Sequence, residues 1–252
     1  MILGLDFPPI SHAIEWRDLF GTHGAFAINK VVLLMWLSVL VVAVFFFIAS
    51  RRQQLVPTGV QNVAESAVDF VREGIIMQTI GKEGLFYTPF LLTVFSFVFV
   101  CNIWEIIPGA QMPVNARMAL PMLMALLVWV IFNFVGVKNQ GIRYLKNVCF
   151  PPGVPWPLYI LVAPIEFVST FLVRPLSLSV RLFANMLAGH LLLISFAVLS
   201  TALWNSTKVG AVLPGALLIG LTGFEILVSA LQAYIFTILT AVYIGGAMHP
   251  EH

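Results

Sequence analysis

Charge is what this chain has least of. Of its 252 residues, 10% are Asp, Glu, Lys or Arg, with a formal net charge of +2, while 60% are hydrophobic. So small a positive excess leaves no electrostatic footprint for nucleic acid. Cysteine is nearly missing as well. Cys101 lies in an apolar run and Cys149 beside Pro151-Pro152, so a disulfide between them is not expected and both read as small apolar fillers. No Cys or His falls at metal-ligand spacing, and neither a Walker loop nor a dinucleotide glycine pattern is present. His-Glu-x-x-His and Gly-x-Ser-x-Gly are absent too. Metal, nucleotide and hydrolytic chemistry therefore have no visible carrier, and no cofactor is expected. The first thirty residues, with Asp6, Glu15, Arg17 and Asp18 ahead of the first apolar run, do not read as a signal peptide.

What the chain has in abundance is apolar length. About 20 helical residues cross the roughly 30 Å hydrocarbon core of a bilayer, and uncharged stretches of that size occur at 31–50, 85–104 and 118–137. Two longer tracts follow at 156–204 and 209–248, each too long for one perpendicular crossing, so tilted or membrane-parallel helices are expected there. The chain thus reads as one all-α polytopic membrane domain over 1–252, with a first span at 31–50, a helical hairpin at 85–137 and a second at 156–248.

Lysine and arginine fall unevenly between the runs. Arg51, Arg52, Arg72, Lys82, Lys138, Arg143 and Lys146 lie on one side, against Arg17, Lys30, Arg117 and Lys208 on the other. Positive loops stay in the cytoplasm, which places the N-terminus outside and the C-terminus, with His249, inside. Between the first two spans, 59–80 has a helical period, with Val60, Val63, Ala67, Phe70 and Ile75 opposite Gln61, Glu65, Asp69, Arg72 and Glu73. This amphipathic surface helix either lies on the membrane as an anchor or docks a stalk. The hairpin turns at 107–113, and Glu105 just before it is expected to reach water on the outer face. Asn102 and Asn133 read as interhelical packing amides.

The ionisable residues inside the last two tracts carry the functional question. Arg181 keeps its charge at any physiological pH, and an arginine at bilayer depth costs at least about 2.5–3.5 kcal/mol. At about 100° per residue, Ser177, Asn185 and Ala188 share its azimuth, and His190 takes the opposite side. Ala184 and Gly189 add to a small-residue border that would let another helix approach. The alternative is a permanent salt bridge from Arg181 to Glu225. On the last tract Glu225, Ser229 and Gln232, spaced by four and three, form a polar stripe that Tyr243 extends. Such a row either passes protons, with His190 beside it, or only bonds two helices together. Glu166, with Ser169 and Thr170 close behind, lines either a proton path or a watery vestibule. Arg174 is expected to snorkel to a headgroup.

The run from Arg174 to His190, Arg-Pro-Leu-Ser-Leu-Ser-Val-Arg-Leu-Phe-Ala-Asn-Met-Leu-Ala-Gly-His, together with Glu-Ile-Leu-Val-Ser-Ala-Leu-Gln-Ala-Tyr-Ile-Phe from Glu225, resembles subunit a of F-type ATP synthases, bacterial and actinobacterial in style. The resemblance spans nearly the whole chain. It implies about five membrane helices plus the amphipathic one, the last two long and strongly tilted as a hairpin against a rotating ring of c subunits. It also implies a non-catalytic, proton-translocating stator subunit of the plasma membrane, with peripheral-stalk b subunits and the other ATP synthase subunits as partners. Arg181 would be the family's essential arginine, Asn185 its ring-facing neighbour, Gln232 the glutamine opposite it, and His190 with Glu225 the pair of the outer half-channel. Glu166 and Ser229 complete the expected path. The aspartate often found in the turn at 108–115 is missing, and Glu105 is its candidate substitute. The rival reading is an ion-coupled secondary transporter, usually built from repeated halves, but no internal repeat is visible.

Overall fold

A computed structural model describes residues 29–51, 54–107, 110, 112, 114–141, 143–150, 156–206 and 208–248. The N-terminal residues Asp6, Glu15, Arg17 and Asp18, together with Arg52, Pro108, Pro151 and His249, lie outside the described residues, as does the side chain of Lys146. Among the described residues the structure is helical without strands, and five helices are long and apolar enough to cross a membrane.

The first long helix, α1 (Lys30–Arg51), opens with the Asn29 carboxamide accepting the Val32 N–H at 3.1 Å, the usual device for a helix start. Most of its apolar surface points outward: Trp36 and Phe47 are each 60% exposed. An exposed apolar surface this continuous is suited to lipid rather than water. Next come α2 (Val60–Val71), a π-helical turn (Arg72–Ile76) and the short α3 (Met77–Thr79). After Gly81, which sits at φ 82°, a conformation that favours glycine, the tight helix Lys82–Tyr87 leads into α4 (Thr88–Ile103). Then follow α5 (Ala119–Gln140) and α6 (Arg143–Cys149), separated by Gly141 at φ 63°, whose N–H closes the end of α5 on the Val137 carbonyl at 2.8 Å.

A single apolar helical stretch of 46 residues then runs from Tyr159 to Trp204. It comprises α7 (Tyr159–Val168), a π-helical turn (Ser169–Val173) and α8 (Arg174–Ser206). The wide turn has a local cause. Pro175 has no N–H and its ring crowds the carbonyl four residues back, and just ahead of it the Arg174 N–H reaches Ser169, five residues back. The last helix is α9 (Val212–Met248), with 37 residues. At 1.5 Å per residue the two long stretches measure about 70 and 55 Å, well beyond the roughly 30 Å hydrocarbon core.

The chain divides into two compact units. One takes 29–43, 97–117 and 183–233; its apolar core includes Leu34, Val98, Cys101, Met186 and Ala233. The other takes 44–96, 118–182 and 234–248, with Val71, Ile75, Leu91, Phe132, Leu182, Phe236 and Ile244 in its core. In this second unit Phe70 stacks near Phe95 and Tyr234 at 5.5 and 5.8 Å, and the Gln140 side chain donates to the Ala247 carbonyl at 3.0 Å. Asn133 accepts from the Tyr144 hydroxyl at 3.3 Å, and the Tyr144 ring fills the space where Gly136 has no side chain. Burial pushes the Tyr144 phenol above its ordinary value, and the Arg174 charge opposes that rise.

The face expected on 59–80 is redistributed. Val60, Val63 and Phe70 are exposed, while Ala64, Val71, Ile75 and Ile76 are buried. The π-helical turn changes the phase of the stripe midway, which a constant 100° count could not anticipate. Both cysteines are free thiols.

Candidate functional site

In the first unit, the polar residues of three segments meet inside the chain. Glu105 lies in the turn after α4, His190 on α8, and Glu225, Ser229 and Gln232 on α9. All are buried, at 4%, 8%, 4%, 0% and 4% exposure respectively. The stripe spaced by four and three is the inward one, since Phe224, Leu227 and Leu231 on the same helix are exposed. His190 Nδ1 stands 3.5 Å from Glu105 Oε1. The Glu225 carboxylate lies so close against α8 that a Cβ on Gly189 would overlap it. The Glu105 and Glu225 carboxylates also sit within Coulombic reach of each other.

What marks this cluster is how little of it is bonded. Both Glu105 oxygens, Glu225 Oε2, Ser229 Oγ, Gln232 Nε2 and Asn102 Nδ2 are buried without a hydrogen-bond partner. An unsatisfied buried polar atom costs about 1–3 kcal/mol, more when charged, and native proteins normally serve such atoms with water or an ion. Two carboxylates, an imidazole, a hydroxyl and an amide with spare bonding capacity can accept, hold and release protons.

Two expectations about this region need correcting. Glu105 does not reach water: its side chain is 1% exposed and faces His190. The helix ends at Ile103, and the Glu105 N–H bonds back to Asn102 at 3.3 Å, so the following turn carries the carboxylate inward. Gly189 does not border the arginine's face either; it is buried and makes room for Glu225. The sequence carried a signal for the second, a glycine beside the histidine, but none for the direction of Glu105.

The second unit contains Arg181, and its setting is the opposite. Arg181 is exposed, and among the described residues it forms no ion pair or hydrogen bond. Along α8 the exposed positions Ser177, Val180, Arg181, Ala184 and Ala188 alternate with buried Leu178, Leu182 and Met186, and Asn185 is half-buried at the margin. Arg174 departs from expectation: its guanidinium lies over the Tyr243 ring, 5.4 Å from the centroid, instead of reaching for a headgroup. Tyr243 in turn packs on Phe132 at 5.7 Å. Glu166 and Ser169 are half-buried, and Thr170 is buried at 1% exposure.

A family model described as ATP synthase A chain matches residues 32–245. The chain belongs to that family. Relatives called ATP synthase subunit a include one from Frankia alni, 47% identical over 94% of this chain and 84% of its own length. One from Rhodococcus erythropolis is 44% identical over 95% and 91%, and one from Streptomyces lividans 41% identical over 99% and 90%. Family membership makes this chain the proton-channel component of an Fo sector and a member of an ATP synthase complex, as a multi-pass membrane protein. The transporter reading has no support beside this match.

Proposed function

We propose that this chain is the non-catalytic stator subunit that passes protons to and from a ring of c subunits through two offset half-channels. The observation that carries the proposal is the contrast along α8 between Arg181, exposed and unpaired among the described residues, and buried His190. Protons enter from outside through Glu105, His190 and Glu225, with Ser229 and Gln232 continuing the path, and neutralise a carboxylate on a c subunit. A neutral carboxyl tolerates lipid, whereas an ionised one is much costlier there. The ring therefore carries the protonated group away and brings another to the inner side, where Glu166, Ser169 and Thr170 help it release its proton to the cytoplasm. Arg181 stands between the two paths. Its fixed charge draws the arriving carboxyl toward ionisation and repels a proton that would otherwise leak across, with Asn185 beside it toward the ring. Each charge crossing the full potential yields about 2.3 kcal/mol per 100 mV, so several crossings drive one ATP elsewhere in the complex.

The lengths of the last two helical tracts support a tilted hairpin against the ring, since neither fits upright across the hydrocarbon core. The exposed apolar residues of α2 support its lying on the membrane beside a peripheral stalk of b subunits. The bias of positive loops supports a bacterial plasma-membrane protein with its N-terminus outside and C-terminus in the cytoplasm. The test is Arg181→Ala in the assembled complex, reconstituted in vesicles. Proton-driven ATP synthesis is expected to disappear while the complex still assembles; synthesis at the wild-type rate would overturn the proposal.

A further inference from the structure

Among the described residues neither Glu105 oxygen accepts a hydrogen bond, and the polar group that stands at ion-pair distance from the carboxylate is His190 Nδ1 at 3.5 Å. That single long contact leaves the direction of the side chain to its backbone, and three side-chain bonds surround that backbone. The Trp104 indole N–H, one residue before Glu105, donates to Ser38 Oγ on α1 at 2.7 Å. Asn115 Nδ2 donates to Asn102 Oδ1 at 2.6 Å, and Lys30 Nζ donates to the Ala110 carbonyl at 2.8 Å. The residues from Trp104 to Ile106 have left the regular helix, so these ties replace the ladder that would otherwise fix their direction.

Ser38 is unlike most hydroxyls in the long helices. Ser195, Thr222 and Thr240 each donate to a carbonyl of their own helix four residues back and go no further. Ser38 also donates to its own helix, to Leu34 at 2.8 Å, but its oxygen then accepts from a residue 66 positions away. It is wholly buried, and the Cys101 thiol is a further neighbour. The indole N–H of half-buried Trp104 takes Ser38 as its acceptor where the turn begins. We infer that Ser38 on α1, acting through Trp104, is a positioning residue that holds Glu105 against His190 in the proton-entry cluster. The first helix is then a part of the entry path and not only an anchor. This inference rests on the role given to Glu105 above.

The experiment compares Ser38→Ala, Trp104→Phe, the double variant and Glu105→Gln in the whole complex, reconstituted in vesicles, with ATP synthesis normalised to assembled complex. Within the first unit, the charged or titratable groups on the described parts of these segments are Lys30 on α1, Cys101 on α4, Glu105 and Arg117 around the turn, His190 on α8 and Glu225 on α9. Each single variant at Ser38 or Trp104 is expected to lower turnover about three- to tenfold and to displace the outer-pH profile in the direction seen for Glu105→Gln. The double variant should match the more impaired single one, because both remove the same bond. A merely structural bond would change the yield of complex and leave the per-complex pH profile in place. Wild-type turnover and profile for Ser38→Ala and Trp104→Phe, with Glu105→Gln impaired, would overturn the positioning role alone. An unimpaired Glu105→Gln would overturn both that role and the place of Glu105 in the entry path.

Discussion

The cluster around His190 and the surface around Arg181 are made from the same helix, yet one is closed within the chain and the other is left open. Glu105, His190, Glu225, Ser229 and Gln232 gather acids, base and spare hydrogen-bonding capacity away from the surface. Arg181 has small neighbours, exposure and no partner among the described residues. The first arrangement is complete enough to handle a proton by itself. The second, on the proposed reading, takes its negative group from a c subunit, since a lone guanidinium at bilayer depth costs at least about 2.5–3.5 kcal/mol.

The comparison breaks most sharply at the open side. Arg181→Ala is expected to lower proton-driven synthesis at least about 100-fold, equivalent to about 2.7 kcal/mol, measured on reconstituted complexes with assembly checked separately. At the closed side, Glu225→Gln and His190→Leu should each slow proton uptake about tenfold while leaving ring association intact. Wild-type flux in vesicles carrying either would remove that residue from the path. Gly189→Ala should behave like a milder form of these, about three- to tenfold, because its methyl group displaces the Glu225 carboxylate. Normal flux there would mean the carboxylate has room to spare. Away from both regions, Gly136→Ala forces a methyl into the Tyr144 ring and should cost about 1–3 kcal/mol of stability, read by thermal unfolding of the complex. Tyr144→Phe should cost least, roughly 0.5–1 kcal/mol for one long hydrogen bond to Asn133, with synthesis unchanged.

Much of the molecule was legible before any coordinates, because bilayer thickness turns apolar run length into helices that span. That Glu225, Ser229 and Gln232 share one face was equally readable, since one regular helix carries them and its geometry is periodic; that the face turns inward comes from their burial. Glu105 was not readable. Its direction depends on a non-helical turn and on bonds to Ser38 and Asn115, and no local period encodes either. Arg174 was misplaced for a related reason: a snorkelling side chain and a stacked one look alike until Tyr243 is found beside it. Along the surface helix the constant count of 100° per residue stops predicting the face at Arg72–Ile76, where the winding changes.

That change in winding recurs at Ser169–Val173, between Glu166 and Arg181. A turn closed five residues back in place of four accommodates about one extra residue, so the stretch before it slips by roughly 100° against the stretch after it. Glu166 and Arg181 are therefore offset in angle from where one unbroken α-helix would put them, as if on two shafts joined by a keyed coupling. Deleting a single residue from that coupling would rotate one shaft against the other while leaving every side chain on both of them intact.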